Sequence, residues 1–243
     1  VYFKPVSFEN DYVKVEIDDI VSLEKETKFR MAVTNKTNNY IIYNSEESKF
    51  DIPEQDVRAK EKSWMIEPLD TRKKVMRAFG EGLNAIRDFT YICEGFYQLV
   101  EQVPFVVDEF RLPPSANMFE AGPMMVQLDK EKRATGGTTV KWDVKYTGQH
   151  YGYMYPYKVK VLMPDGNLYA STENDIEPVI IERGEEESLK ASWDRMPGGR
   201  VNDMQKVEML IQLEGVFLEA IPEEFPGETL DITWDEALTK EKN

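Results

Sequence analysis

Apolar and polar residues alternate in several short segments of this chain. Val13, Val15 and Ile17 are separated by charged residues, and the segment from Phe29 to Val33 repeats the pattern. Because alternate side chains of a β-strand point to opposite faces, each segment predicts a strand with one face on a core. The same reasoning predicts further strands at residues 40–43, 64–66, 89–92, 140–146, 157–161 and 207–211.

Clusters of turn-forming residues separate the predicted strands. Residues 35–39 contain three asparagines, residues 164–167 are Pro-Asp-Gly-Asn, and residues 136–137 are both glycine. Asn, Asp and Gly tolerate the backbone conformations that tight turns require, so these positions predict turns or hairpins.

One segment has a different pattern. Residues 71–89 carry apolar side chains at helical spacing, but Gly80 and Gly82 weaken a helix there. We therefore predict a strand that ends near Phe79, followed by a connection with one helical turn.

The two halves of the chain repeat the same apolar pattern. A comparison of the sequence with itself at a shift of 111 residues needs no gap over the first part of each half. The coinciding segments include 8–9 with 119–120, 13–17 with 124–128 and 29–33 with 140–144. Insertions in the second half then raise the shift to 115 at Ile66, 114 at Phe79 (which aligns with Trp193) and 120 at residues 94–97. This regularity predicts an internal duplication.

Two prolines and small polar residues interrupt the pattern at residues 113–117. We therefore predict an all-β chain with a first domain at 1–112, a linker at 113–117 and a second domain at 118–243. Short strands separated by turns, in copies of about 110 residues, fit two tandem immunoglobulin-like β-sandwiches.

Three segments carry a resemblance to a known group of proteins. They are residues 33–35 (Val-Thr-Asn), residues 164–167, and residues 181–193, which begin with Ile-Glu and end with Trp. Their order resembles small immunoglobulin-like domains of bacterial extracytoplasmic proteins, many of them lipoproteins or domains of unknown function. The resemblance covers most of each copy and implies an exported protein with a non-catalytic interaction role. It carries over no site residue.

Charge and composition make some classes of binding partner less favourable than others. The chain has 45 acidic and 30 basic residues, a net charge of −15, and its basic residues are scattered. Nucleic-acid binding needs a cationic face, so nucleic acid and anionic membranes are poor candidates, whereas cationic partners are favoured. No apolar run reaches the roughly 18 residues of a membrane helix. The chain begins with Val1 rather than Met, so we expect a trimmed product, either a mature form after signal removal or a boundary chosen for expression. Together with the resemblance to exported domains, this start favours an extracytoplasmic location.

The most unusual stretch contains four alternate tyrosines next to the single histidine. These residues are His150, Tyr151, Tyr153, Tyr155 and Tyr157. On a strand, the tyrosines would share one face. That face would either pack in a core or form an aromatic platform for a sugar or a peptide. Pro156 indicates that the strand is at an edge or ends there.

Other candidate chemistry is weak. Cys93 lies in an apolar run, which predicts a buried, unreactive thiol. His150 has no Cys or acidic neighbour, so we expect no catalytic triad, metal site or cofactor. The acidic clusters at 18–19, 46–47 and 185–187 are typical of solvated loops.

These patterns favour a non-catalytic binding protein whose partner is a protein or a glycan at the cell surface. Its candidate surface is the stretch from His150 to Tyr157. Two alternatives stay open: a carbohydrate-active enzyme that uses carboxylates, and a structural spacer for another module.

Overall fold

A computed structural model describes residues 1–52, 55–58 and 63–242 of the chain. The described residues form antiparallel β-sheets. Two 3-10 turns and one α-helix complete the described elements, at Leu83–Ala85, Pro156–Lys158 and Glu236–Lys242 (α1). The chain is therefore all-β, as the alternating pattern predicted.

The chain divides into two compact units. Unit 1 comprises the described residues of 1–100 and 222–243, and unit 2 comprises residues 101–221. The strands that begin in unit 1 are β1 (Val6–Glu9), β2 (Val13–Ser22), β3 (Glu26–Asn35), β4 (Ile41–Tyr43), β5 (Lys49–Ile52), β6 (Gln55–Arg58), β7 (Trp64–Ile66), β8 (Thr71–Phe79), β9 (Asp88–Cys93), β10 (Phe96–Glu101) and β22 (Glu228–Thr233). Neighbouring strands in unit 1 follow the orders β1-β2-β3-β8, β10-β4-β7 and β22-β9-β5-β6.

A corresponding set of strands begins in unit 2. They are β11 (Phe110–Leu112), β12 (Met118–Ala121), β13 (Met124–Ala134), β14 (Gly137–Tyr146), β15 (Tyr151–Met154), β16 (Lys160–Leu162), β17 (Leu168–Ala170), β18 (Val179–Ile181), β19 (Glu186–Asp194), β20 (Met209–Gln212) and β21 (Phe217–Phe225). Their neighbour orders are β12-β13-β14-β19, β18-β15-β21 and β11-β20-β16-β17. Each order matches one of the three in unit 1, strand for strand.

The strand registers of the two units also correspond. Val15 lies opposite Val33 between β2 and β3, and Val126 lies opposite Val144 between β13 and β14. Both members of the second pair lie 111 positions after the first, which is the shift found in the sequence. Each of these ladders has an irregular register in the same region, after Asp18 in unit 1 and after Leu128, which corresponds to Ile17, in unit 2.

The ladders correct one predicted correspondence, that of Phe79 with Trp193. Ala78 lies opposite Thr27, and Trp193 lies opposite Thr138. Thr27 and Thr138 differ by 111 positions, so Trp193 corresponds to Ala78 at a shift of 115. Trp193 is buried whereas Phe79 is exposed, because a slip of one residue moves a strand side chain to the other face.

The division of the chain differs from the predicted linear domains. The prediction assigned residues 118–243 to the second domain and 113–117 to a linker. In the structure β22 pairs with β9, so the end of the chain belongs to unit 1. Similarly, β11 pairs with β20 and belongs to unit 2, although it precedes residue 113. Strand pairing between residues distant in sequence decides both assignments.

Each unit has its own apolar core. The core of unit 1 is rich in aromatic side chains and includes Phe29, Phe50 and Tyr91. The core of unit 2 surrounds Trp142 and Trp193. Alternate residues of the long strands face these cores, because a period of two places every second side chain on the buried face.

Several local predictions are confirmed. A strand ends at Phe79, and a single 3-10 turn follows at Leu83–Ala85. Gly137 begins β14 opposite Ala134, in a hairpin, and Gly166 has a φ of 81° in the turn between β16 and β17. The strand predicted at 157–161 is wrong in its first half, because Pro156 begins a 3-10 turn and β16 starts only at Lys160.

Candidate functional site

The predicted tyrosine platform is divided between two elements. Tyr151 and Tyr153 share one face of β15, which ends at Met154. Tyr155 follows the strand, and Tyr157 lies in the 3-10 turn that Pro156 begins. Pro156 thus ends the strand, as predicted, but β15 is not an edge strand, because it pairs with β18 on one side and β21 on the other.

Burial separates the tyrosines further. Tyr153 is 1% exposed and Tyr155 is 8% exposed, whereas Tyr151 and Tyr157 are half-buried. The rings of Tyr153 and Tyr155 are perpendicular with centroids 6.5 Å apart, and those of Tyr155 and Tyr157 are perpendicular at 5.8 Å. The rings of Tyr153, Tyr155 and Tyr157 are therefore close together, but the four tyrosines do not form one open surface.

Tyr146 organises the loop that contains His150. Its phenol donates a hydrogen bond to the Glu219 carboxylate and accepts one from the backbone N–H of His150 at 3.0 Å. A Cβ at Gly148 would collide with the Tyr146 hydroxyl, so glycine is required where the ring crosses the loop. Burial and the bond to Glu219 raise the pKa of Tyr146, so the phenol stays protonated. This arrangement holds the loop in place.

A second phenol–carboxylate pair lies beside the 3-10 turn. Tyr155 donates a hydrogen bond to Glu101. The ammonium of Lys158 lies 4.2 Å from the centroid of the Tyr155 ring and 5.8 Å from that of Tyr157. Such cation–π contacts are common in folded proteins and cover aromatic surface. Tyr155 is thus covered by the chain's own lysine, and ligand binding at the tyrosine stretch stays a prediction.

A groove on unit 2 offers a more accessible surface. It has a volume of about 320 Å³ and lies between the segment that leads into β11 and the strand β12. Phe110 and Phe119 line its apolar part, with ring centroids 5.7 Å apart, and the side chain of Met118 is 54% exposed beside them. A cleft of this size with aromatic walls is typical of binding sites.

Carboxylates surround this apolar part. Asp108, Glu109 and Glu120 line the groove together with one cation, Arg111. Arg111 is paired with Glu208 at 3.3 Å, and Glu109 accepts a hydrogen bond from Gln212 at 2.9 Å. The side chains of Asp108 and Glu120 make no hydrogen bond or ion pair with any residue that the structure describes. The groove therefore has a net negative charge beside an apolar surface.

The chain that leads into the groove is also apolar and exposed. Val103 and Val106 are 84% and 98% exposed. Between them, Phe105 donates its backbone N–H to Phe217 at 2.9 Å, and its ring lies over Gly122, where an added Cβ would be 2.6 Å from the ring. The segment is thus fixed at Phe105, with its two valines directed to solvent.

The corresponding position of unit 1 has a different chemistry. Ser7, which lies 111 positions before Met118, occupies the same place on β1 that Met118 occupies on β12, since Ser7 pairs with Glu16 and Met118 with Gln127. The exposed methionine is therefore a specific feature of unit 2.

Sequence reasoning missed this groove. It treated residues 113–117 as a linker and did not consider Met118 or the acidic residues 108–109. The available signal was the apolar run from Val103 to Val107 that does not alternate and precedes two acids. Its meaning depends on β11 pairing with β20, which brings residues 107–111 next to residues 115–120.

The remaining candidate residues from the sequence are Cys93 and His150. Cys93 is fully buried, and burial raises the pKa of its thiol, as predicted for an unreactive cysteine. His150 is half-buried in the loop after β14. Among the residues that the structure describes, no group of three or more His, Cys, Asp or Glu side chains could hold a metal ion. In the same residues, no helix has the length and apolar character needed to cross a membrane.

No protein-family model matches this chain, and no curated protein matches its sequence.

Proposed function

We propose that this protein is a non-catalytic binding protein, and that the groove of unit 2 binds a cationic segment of another protein. The observation that carries the proposal is a groove whose lining combines the exposed Met118 and the rings of Phe110 and Phe119 with the unpaired carboxylates of Asp108 and Glu120. Apolar anchors supply most binding energy in such sites, and complementary charge supplies specificity and speed of association.

Charge complementarity favours this partner. The chain has a net charge of −15, which attracts cationic partners over its whole surface. Inside the groove, a Lys or Arg of the partner would meet Asp108 or Glu120 while an adjacent apolar side chain packs against Met118. A peptide with both features fits better than a neutral glycan, which would leave the two carboxylates without a counterion.

We also propose that each unit is an immunoglobulin-like sandwich and that the chain arose by duplication. The matching neighbour orders and the constant shift of 111 positions in the first ladders support the duplication, and each of these ladders has an irregular register in the same region. An extracytoplasmic location remains part of this proposal, because it rests on the resemblance to exported domains.

Selection of peptides on the full chain tests the partner proposal. A phage-displayed random peptide library is panned on the immobilised protein, and the selected peptides are measured by calorimetry. We expect them to carry Lys or Arg next to an aromatic or aliphatic residue. Met118→Glu and Glu120→Lys should each weaken their binding at least about tenfold, equivalent to about 1.4 kcal/mol.

Matched variants on unit 1 control for nonspecific charge effects. Ser7→Glu and Glu9→Lys make the same changes at the corresponding positions of β1 and should leave binding unchanged. Equal loss in both pairs would reject the groove. A combined Tyr151→Ala and Tyr157→Ala variant tests the tyrosine stretch in the same assay. Loss of binding in that variant alone would place the binding site at the tyrosine stretch instead of the groove. Binding to a glycan array and to no peptide would reject a protein partner.

A further inference from the structure

The groove of unit 2 lies beside the edge of a sheet. In the order β12-β13-β14-β19, β12 is the first strand, and among the described residues it pairs only with β13. Met118 and Phe119 both line the groove, although consecutive side chains of a strand point to opposite faces. The groove is therefore at the edge of β12 rather than over one face of the sheet, and a partner in it meets the backbone of an edge strand.

The register shows which backbone groups of β12 point into this open side. Met118 lies opposite Gln127. The backbone N–H of Leu128 donates to the backbone oxygen of Asn117 at 2.7 Å. In an antiparallel ladder, this bond flanks a pair whose own N–H and C=O groups point away from each other. The N–H and C=O of Met118 therefore point away from β13, and those of Glu120, two residues further on, do the same.

These backbone groups are available to a partner. Within the part of the chain that the structure describes, no residue forms a hydrogen bond with the backbone N–H or C=O of Met118 or Glu120. Both residues are exposed. The strand contains neither proline nor lysine, which commonly protect an edge against further pairing. The edge of β12 thus offers two N–H donors and two C=O acceptors inside the groove.

The side chains of β12 define what an added strand would carry. Residues of that strand directly opposite Met118 and Glu120 would lie on the same face as these two side chains and form cross-strand pairs with them. An apolar residue suits the exposed methionine, and Lys or Arg suits the glutamate. The residue between them would lie on the face of Phe119, whose ring centroid is 5.7 Å from that of Phe110, so a second apolar side chain fits there.

We infer that the groove binds its partner as an added β-strand, which pairs with β12 through the backbone groups of Met118 and Glu120. The partner segment is extended and carries two consecutive apolar residues next to Lys or Arg. This inference rests on the proposed function, since it specifies how the groove would hold a cationic segment. In this mode of recognition the backbone hydrogen bonds supply affinity, and the side chains supply specificity.

The edge strand of unit 1 provides a matched comparison. In β1, the backbone N–H of Asn10 donates to the Val13 oxygen at 2.9 Å, and Glu9 lies opposite Lys14. The N–H and C=O of Glu9 and of Ser7 therefore point away from β2 in the same way. Ser7 replaces the exposed methionine of β12 and supplies no apolar contact. Unit 1 thus has the same outward backbone groups without the side chains that select the partner.

Hydrogen exchange in the unmodified protein tests strand addition. The probe is the tightest-binding peptide selected by panning, and NMR follows single amides with and without it. We expect the peptide to slow exchange of the Met118 and Glu120 amides at least about tenfold, because they gain hydrogen bonds. The amides of Phe119 and Ala121 already pair with β13 and should change less. Unchanged exchange of the Met118 and Glu120 amides in the saturated complex would overturn strand addition.

Methylation of single backbone nitrogens in the same peptide gives a second readout. An added strand directs alternate N–H groups at β12, and the N–H groups between them point away. N-methylation should therefore weaken binding at least about tenfold at every second residue of the central segment, and less than about threefold at the residues between. Equal losses at neighbouring residues, or no loss at any residue, would contradict pairing with β12.

Proline removes a donor on the protein side. Met118→Pro deletes an N–H that takes no part in the ladder with β13, so the strand tolerates it. Because Met118→Ala also lacks the methionine side chain, the difference between the two variants reports on the N–H alone. We expect Met118→Pro to bind at least about fivefold more weakly than Met118→Ala, and Ser7→Pro to bind as wild type. Circular dichroism checks the fold of all three. Equal binding by the proline and alanine variants would contradict the inference.

The outcomes separate strand addition from the proposed function. If panning yields no peptide, or if Met118→Glu and Glu120→Lys leave peptide binding unchanged, the groove is not the site and both proposals fail. If these two variants weaken binding but exchange, methylation and proline show no backbone pairing, the groove binds its partner through side chains alone. Only strand addition is then overturned.

Discussion

At the scale of single residues, one pair of corresponding positions in the two units has the same left-handed backbone conformation but different side chains. Leu69, in the turn between β7 and β8, has a φ of 57°, and Gly184, 115 positions later in the turn before β19, has a φ of 81°. Leucine rarely adopts this left-handed region because its Cβ approaches the backbone, whereas glycine does so freely. Unit 1 therefore holds a strained residue where unit 2 does not.

Exchanging these residues tests the strain. Leu69→Gly should raise the free energy of unfolding by about 0.5–1 kcal/mol, and Gly184→Leu should lower it by about 1 kcal/mol. A Cβ at Gly184 would meet no atom within 4 Å, so the reciprocal change acts through the backbone and not through a collision. Urea denaturation measures both. A loss of stability in Leu69→Gly would mean that contacts of the leucine outweigh its strain.

At the scale of elements, the two units stabilise the connection between consecutive strands with different side chains. Where β4 leads to β5 in unit 1, the Tyr43 hydroxyl lies 2.6 Å from that of Ser48 and 2.7 Å from that of Tyr91. Ser48 also donates to the backbone oxygen of Glu94 at 2.8 Å, which joins this bend to the one at Gly95. The corresponding residues of unit 2 are apolar and buried: Met154, Val159 and Ile211.

A buried hydroxyl network is stable only when its members keep their partners. Tyr43→Phe removes the central hydroxyl and should cost about 1–3 kcal/mol of stability, because groups bonded to it remain buried. Replacing Tyr43, Ser48 and Tyr91 together by Met, Val and Ile, as in unit 2, should cost less than the sum of the three single changes. Thermal and urea unfolding of the four variants measures this coupling. Strict additivity would show that the hydroxyls act independently.

At the scale of the whole molecule, stability of unit 1 depends on the end of the chain. Ile232 is fully buried in its core, as Leu112 is in the core of unit 2. Ile232→Ala and Leu112→Ala should each cost about 2–5 kcal/mol, the usual range for truncating a buried aliphatic residue. The two variants differ in where the loss appears.

Hydrogen exchange of backbone amides shows which unit loses stability in each variant. In Ile232→Ala, backbone amides of β9 should exchange faster because their partner strand is weakened, while those of β20 keep their protection. Leu112→Ala should give the reverse pattern. Uniform acceleration in both variants would mean that the entire chain unfolds as one cooperative unit.

Sequence alone determined the local part of this protein. Strand class, the shift of 111 positions between halves and the turns at Gly137 and Gly166 follow from side-chain alternation and backbone preference, which act over a few residues. The predicted correspondence of Phe79 with Trp193 was wrong by one residue. Ala78 and Phe79 are both apolar, so the sequence does not show which of the two faces the core. Only the opposite strand fixes that register.

Tertiary structure decided everything that depends on distant pairing. The assignment of β22 to unit 1, the burial of Tyr153 and Tyr155, and the groove beside Met118 each require strands separated by many residues to meet. Their pairing is set by the burial of whole sheet faces and by ladder hydrogen bonds that no local pattern encodes. The sequence thus determined which segments are strands, and packing determined which unit each strand completes and which surface remains open to a partner.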